Sequence, residues 1–451
     1  MAIDGVRDAW PTIDAEIRKR VLANGVRERS SLYDDVPGST GPWRPARPLI
    51  LDETAYGGLA ATSERLMLLI LEACRRRARS VGDLHRILGA DLHPAPLLRP
   101  EALLAEDLLV SARPDILIER GVPRFVEINI DGSLGGTWQA DTLAERHLEI
   151  VARAGLGDRV SAPASAVDAR FAEIRRSLGL RDGAIVAIPV FSVGAAPGLD
   201  ADDAFLDFLQ PMCEAGRRHG LDTRACRFDD LTVDSTGRLQ LGDDTVAAVL
   251  RLFLCHDQPK SSGLDALITA HQARSVQLHT PEDTWLLTDK TVLAWLWSDM
   301  DLLDVADAEL IRRHIPRTVL LSDAIDDRGI DALVEERAKW VLKPGGGYGG
   351  DGVTLGVGSE PGPWRAELLG ASEQGGFVLQ EIVEADELAM EFVHLETAEQ
   401  CTATVPFVLG PFLFGRTPSS VLVRHGVPGG SAILNAHRGA SMSTALVLSD
   451  A

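Results

Sequence analysis

Little in this chain of 451 residues points to a membrane, a secretory route or a metal–thiolate site. No uninterrupted apolar run approaches the length that spans a bilayer. The first ten residues are polar and show no signal-peptide pattern. Cysteine occurs only at Cys74, Cys213, Cys226, Cys255 and Cys401, and no two stand as Cys-x-x-Cys. Scattered thiols of this kind fit a reduced cytoplasmic setting without a zinc site. Internal repeats and low-complexity tracts are also missing. Lysine is scarce: Lys19, Lys260, Lys290, Lys339 and Lys343 are all there are, and the other 40 of the 45 basic residues are arginine. The net charge of −21 repels nucleic acid and anionic membrane, so neither is expected as a partner. An anionic ligand must then be met by a local basic pocket or by metal ions.

The chain is too long for one compact core, so two or three subdomains are expected. Residues 30–47, with prolines from Pro37 onward, read as an extended connector. Leu66, Leu68, Leu69, Leu71 and Ala73 recur at helical spacing over 63–78, with Ser63 as N-cap. Segments 116–119 and 125–130 read as a β-hairpin. From about 165 to 280, strands at 184–191 and 246–254 alternate with helices at 201–219 and 264–273, the pattern of a small parallel sheet. Helices at 289–298 and around Leu310 follow. Short strands at 377–383, 388–395, 402–409, 420–424 and 432–434 then read as antiparallel sheet.

Two constellations carry chemistry. Residues 340–344 form a strand containing Lys343, followed by Gly345-Gly346-Gly347-Tyr348-Gly349-Gly350-Asp351-Gly352 and β-type residues. Backbone N–H groups in such a turn can close over phosphates, because no Cβ intervenes, and the lysine adds a point charge. A Rossmann turn would open a helix here, and a kinase lysine would come on a later strand. A flexible hairpin lid over a nucleotide remains, with a mobile glycine-rich surface hairpin as the bland alternative. The second constellation is Arg113-Pro114-Asp115 facing Glu127-Ile128-Asn129 across the hairpin. Glu127 and Asn129 leave the same face of their strand. Two carboxylates and an amide oxygen make a hard-cation set suited to Mg²⁺, unless they are merely solvent-facing polar groups. The loop Gly132-Ser133-Leu134-Gly135-Gly136 comes next, before a helix, and offers backbone donors to an anion.

Arg-x-Asp, then Glu-x-Asn, then Ser-x-Gly-Gly resembles the ATP-grasp amide ligases of the eukaryotic-type glutathione synthetase and glutathionylspermidine synthetase group. Thr288-Asp289-Lys290-Thr291 is similar to that group's motif whose lysine reaches ATP phosphate, and Leu342-Lys343-Pro344 with its glycines is similar to the lid. Gln380-Glu381-Ile382 is similar to the hinge where the adenine edge meets backbone groups. The resemblance spans about 110–445 and implies an α/β (α+β) ATP-grasp fold in the permuted, glutathione synthetase-like arrangement. It implies an N-terminal region with the metal hairpin (1–164), an α/β substrate domain (165–280), an ATP-binding subdomain with the glycine-rich lid (281–395) and C-terminal strands completing the core (396–451). It implies ATP with about two Mg²⁺ ions, Asp115, Glu127 and Asn129 as metal ligands, and Lys290 and Lys343 on the phosphates. Gly345, Gly346, Gly347, Gly349 and Gly350 belong to the lid. Arg113 and Arg251, with Ser133, Gly135 and Gly136, are expected at the substrate carboxylate or acyl phosphate; an arginine on a strand can equally pair with a nearby acid. Arg424 and Arg438 are further candidate anion contacts. The acidic lid-loop ligand of glutathione synthetases is missing, and Asp351 lies too far along to stand in for it. Residues recognising glutathione or spermidine are not traceable. The activity implied is a carboxylate–amine ligation of amino acids or a small peptide, in a possible homodimer. A phosphotransferase and a non-catalytic nucleotide-binding protein on the same scaffold are the alternatives.

Overall fold

A computed structural model describes residues 5–34, 36, 39, 41–89, 95–190, 206–347, 349–429 and 440–449. Strands β1 (Trp43–Pro45) and β2 (Leu49–Asp52) lead into helix α1 (Glu53–Arg77). The Asp52 side chain accepts from Ala55 N, and Arg75, Arg76 and Arg77 fill the last turn, where their positive charge complements the negative end of the helix dipole. Ser63, expected as N-cap, is instead buried in mid-helix, its hydroxyl donating to Leu59 O one turn back. The expected connector 30–47 holds the end of a short helix, Arg29–Tyr33, and all of β1.

The hairpin β3 (Ser111–Glu119) and β4 (Val122–Asn129) precedes helix α2 (Thr137–Val151). Next, β5 (Ile185–Val190), β6 (Asp222–Arg227), β7 (Ala248–Leu250) and β8 (Gln277–His279) form a four-stranded parallel sheet in the order β8-β7-β5-β6. The expected parallel-sheet region is therefore present. Its strand at 246–254 shrinks to β7, and within 201–219 the described helix is Gln210–Arg218, with 201–205 outside the described residues. A second four-stranded sheet is antiparallel: β9 (Thr318–Leu320), β10 (Trp340–Pro344), β11 (Thr354–Leu355) and β12 (Phe377–Glu381), ordered β9-β12-β10-β11. Trp364 and Leu368 of the helix Pro361–Gln374 pack on its Trp340, Leu342 and Leu379.

The last strands, β13 (Glu387–His394), β14 (Gln400–Phe414), β15 (Thr417–His425) and β16 (Ser441–Leu448), join the first ones in a nine-stranded sheet. Its path runs β1-β13-β14-β15-β16-β2, with β3 pairing along the second half of β14, β4 outside it, and the two-residue strand Val160–Ser161 pairing with β16 as the ninth. Strands β1 and β2 sit at opposite ends of that path, yet only the short link between Pro45 and Leu49 separates them. The sheet must curl until its ends approach. Strand β13 pairs with β14 across the boundary expected at 395. The expected strand at 432–434 lies outside the described residues.

Helix α1 covers one face of the curled sheet, placing Leu66, Leu69 and Ile70 against Ile116, Ile118, Leu409, Val421 and Val423. Each such side chain contributes about 1.5–3 kcal/mol by burial. Burial alternates along β3, so Ala112, Pro114, Ile116 and Ile118 face this core while Arg113 and Asp115 face the other way. The core thus fixes which side the polar residues occupy. No helix among the described residues is long and apolar enough to cross a membrane.

Candidate active site

The register of β3 on β4 sets Asp115 directly opposite Glu127 and Arg113 opposite Asn129. All four side chains share the face turned away from the core. Strand β15 brings Arg424 alongside, with its Nη2 2.6 Å from Asp115 Oδ2. Arg113 Nε lies 3.5 Å from Asp115 Oδ1, and Arg113 Nη1 donates to Gly135 O at 2.9 Å. Burial works to raise the Asp115 carboxyl, but Arg424 and Arg113 overcome it and hold the group below its ordinary value. Burial also lowers the Arg113 guanidinium, against the pull of Asp115.

Lys290 and Lys343 reach the same place from two directions. Lys290 is buried just before the helix Thr291–Ser298, and its Nζ lies 3.0 Å from Glu127 Oε1. The same ammonium donates to Gly347 O in the lid. Lys343, on β10, donates to Gln380 Oε1 at 2.6 Å and to Val126 O at 3.4 Å. Burial pulls its ammonium down to about 8; Glu127 and Asp115 favour the charged form, and Lys290 disfavours it. The two lysines and the two carboxylates therefore sit in one electrostatic neighbourhood. The base of the lid is pinned here too. Gly345 O accepts from Lys290 N at 2.9 Å and Gly345 N donates to Gly376 O at 2.7 Å. A Cβ on Gly345 would come within 2.5 Å of Asp289 Oδ1, whose carboxyl is raised by burial. Farther out, Gly349, Gly350 and Gly352 adopt left-handed φ, and Asp351 is exposed.

The remaining expected residues divide. Ser133 and Gly135 are exposed at the loop beside Arg113, and Gly136 caps α2. Gln380 is buried between Lys343 and Thr318. The N–H groups of Glu381 and Ile382 are engaged by Arg317 O and Lys339 O, so neither is a free donor for a ligand. Arg251 requires a correction. Its side chain has no exposure, and it donates to Thr280 O, Phe253 O, Pro281 O and Asp131. With its donors engaged in the protein, it is a tether beneath the site and not a substrate contact. Arg438 lies outside the described residues. Sequence reasoning overlooked Asp131; the only signal was an acid amid apolar neighbours two residues before Ser133.

Among the described residues no group of three or more His, Cys, Asp or Glu could hold a metal ion. The hairpin set is instead two carboxylates and one amide. Asp115 Oδ1 and Glu127 Oε1 are buried without an aligned hydrogen bond, and Asn129 donates its amide N–H to Arg113 O, leaving its oxygen as the acceptor. Hard oxygens in that number fit Mg²⁺, which keeps places for phosphate and water. An open cleft of about 790 Å³ bounded by Arg29, Asp34, His394 and Glu396 shares no residue with this cluster. It brings no comparable gathering of charge, and the candidate site is the cluster.

No family model and no curated protein matches the chain. Among solved structures it is similar to a glutathione synthetase-like effector from Globodera pallida in the apo form, with a TM-score of 0.61, 13% identity and coverage of 96% of this chain and 98% of that one. A putative gamma-glutamylcysteine synthetase from Methylobacillus flagellatus KT gives a TM-score of 0.44 at 13% identity, covering 86% of this chain and 87% of that one. A D-cycloserine synthetase gives 0.30 at 19%, covering 57% and 74%. Scores that low carry no argument. The first match, over nearly the whole of both chains, shows the fold alone: a glutathione synthetase-like ATP-grasp fold.

Proposed function

We propose that this protein is an ATP-dependent carboxylate–amine ligase that works through an acyl phosphate. The observation that carries the reading is the convergence of Asp115, Glu127, Lys290, Lys343, Arg113 and Arg424 from separate parts of the chain. Such a gathering of cations around a buried acidic pair suits a triphosphate with its counter-ions, and little else of this size.

A carboxylate is a poor acyl donor because its leaving group would be oxide. In the first step a substrate carboxylate oxygen bonds to the γ-phosphorus while the bond to the bridging oxygen breaks, releasing ADP. In the second an amine nitrogen bonds to the acyl carbon, inorganic phosphate leaves with the C–O electron pair, and the proton lost by nitrogen passes to solvent. Lys290 and Lys343 hold the phosphate oxygens. Arg113 and Arg424 offset the charge on the transferring group and on the carboxylate, for which a planar guanidinium suits bidentate contact. Bound by Asp115, Glu127 and Asn129, Mg²⁺ would supply further charge against the triphosphate. The glycine lid from Gly345 to Gly352 shields the acyl phosphate from water. Gln380, Glu381 and Ile382 flank the nucleotide base, and the N–H groups of Gly135 and Gly136 face the substrate.

Incubation with ATP, Mg²⁺ and pooled amino acids, with and without hydroxylamine, tests the reading. Hydroxamate together with ADP is expected. A stable phosphorylated product, or ATP binding without turnover, would overturn it.

A further inference from the structure

Lys290 holds the lid at two points and a carboxylate at a third. Its backbone N–H donates to Gly345 O at 2.9 Å, and its ammonium donates to Gly347 O. The same ammonium lies 3.0 Å from Glu127 Oε1, with 4% of the lysine side chain exposed. Asp115, the other carboxylate of the hairpin, is met by Arg424 at 2.6 Å and by Arg113 at 3.5 Å. The groups assigned to phosphate thus neutralise the groups assigned to metal.

These contacts differ in quality. Lys290 directs a hydrogen bond at Gly347 O, whereas Glu127 Oε1 has no aligned donor, and neither has Asp115 Oδ1. The carboxylates are balanced in charge, but lone pairs on both remain unused. A divalent cation would take those lone pairs, and it would repel an ammonium left on the same carboxylate. Lys290 has to withdraw from Glu127, yet a buried ammonium without a partner is costly. A triphosphate oxygen supplies that partner. The converse also holds. A triphosphate that takes the ammonium on its own leaves Glu127 bare beside its negative oxygens. Either ligand alone creates an unpaired buried charge, and the two together create none.

We propose that Lys290 is an exchange latch, which leaves Glu127 and the lid for phosphate only when a divalent cation replaces it on the carboxylate. Metal and nucleotide then bind as a coupled pair, and the lid carbonyl of Gly347 is released in the same event. A merely additive phosphate contact by Lys290 would produce neither the coupling nor the lid change. The inference rests on the placing of nucleotide and metal in the ligase reading.

Calorimetric titration tests it without turnover, using Mg²⁺ alone, the β,γ-imido analogue of ATP with chelator, and the analogue with Mg²⁺. On the wild type, Mg²⁺ should tighten the analogue by about fiftyfold. Lys290→Met should bind Mg²⁺ alone about tenfold more tightly than the wild type, and the coupling should fall about tenfold. Glu127→Gln provides an independent arm: with its ammonium unclaimed, it should bind the metal-free analogue about tenfold more tightly than the wild type. Amide hydrogen exchange reads the lid, whose segment 345–352 should exchange about tenfold faster in ligand-free Lys290→Met. Mg²⁺ affinity unchanged or weakened in Lys290→Met, metal-free analogue bound no better by Glu127→Gln, or unaltered lid exchange would overturn the latch while leaving the ligase reading intact. A wild type that binds the analogue neither with Mg²⁺ nor without it would overturn both.

Discussion

Glu127→Gln separates an ion pair from a neutral contact with little change of shape. From sequence alone the isosteric amide would be expected to leave folding almost untouched while abolishing turnover. The structure changes the first half of that expectation, because Glu127 Oε1 lies 3.0 Å from the buried ammonium of Lys290. At that distance and an effective dielectric constant of about 20, the attraction is ~5 kcal/mol. Removing one partner of a buried pair typically costs ~3–5 kcal/mol. Glu127 keeps 17% side-chain exposure, and Gly347 O still accepts from Lys290, so the loss here should be about 2–3 kcal/mol. Urea denaturation of wild type, Glu127→Gln, Lys290→Met and the double variant measures it. The double variant should be less destabilised than the sum of the singles by about 2 kcal/mol, since no unpaired buried charge is left. Turnover should be lost in all three. Strict additivity of the singles, or a Glu127→Gln protein as stable as wild type, would refute the pairing.

Three further outcomes are expected. Lys343 has a folded value of about 8 against an ordinary 10.5, so between those values the unfolded chain binds more protons and stability rises with pH, by up to ~3 kcal/mol. Lys343→Met should remove that rise in denaturation curves taken from pH 7.5 to 10.5; an identical pH profile would contradict a buried ammonium. Arg251→Gln should lower stability by about 3 kcal/mol or more, because it leaves Asp131 and several carbonyls without their donor, whereas Arg113→Lys should fold normally and raise the KM of the acid about tenfold. The reverse pattern in denaturation and steady-state kinetics would restore Arg251 to the substrate. Gly345→Ala places a methyl against Asp289 Oδ1 at 2.5 Å and should raise the KM for ATP about tenfold by shifting the lid base. An unaltered ATP dependence would show that the lid base does not matter.

The hairpin was legible because apolar and polar residues alternate along β3, while the register shift at Asp115/Ile116, which leaves Val126 as an extra residue in β4, has no such signal. The parallel-sheet region and the lid strand were legible for a similar reason: compact apolar runs bounded by turn residues. What stayed hidden depends on distant pairing. Strands β1 and β2 are three and four residues long and find partners in β13 and β16, so nothing local marks them. Strand β14 runs through Gly410 and Pro411 to Phe414 by way of a register shift, where the sequence signals a stop. Arg251 was visible at the end of a strand, but its burial under the Ser133 loop depends on Asp131 and Thr280 arriving from other segments. The partnership of Arg424 with Asp115 likewise arises only when β14 slots between β3 and β15. Single residues carried the chemistry, and their neighbours were set by the sheet.

The most direct measurement is a crystal structure with a non-hydrolysable ATP analogue and Mg²⁺. The account predicts metal about 2.1 Å from oxygens of Asp115, Glu127 and Asn129, with Lys290 and Lys343 on the phosphates beneath the glycine lid. A nucleotide bound elsewhere, with Lys290 still paired to Glu127, would contradict it.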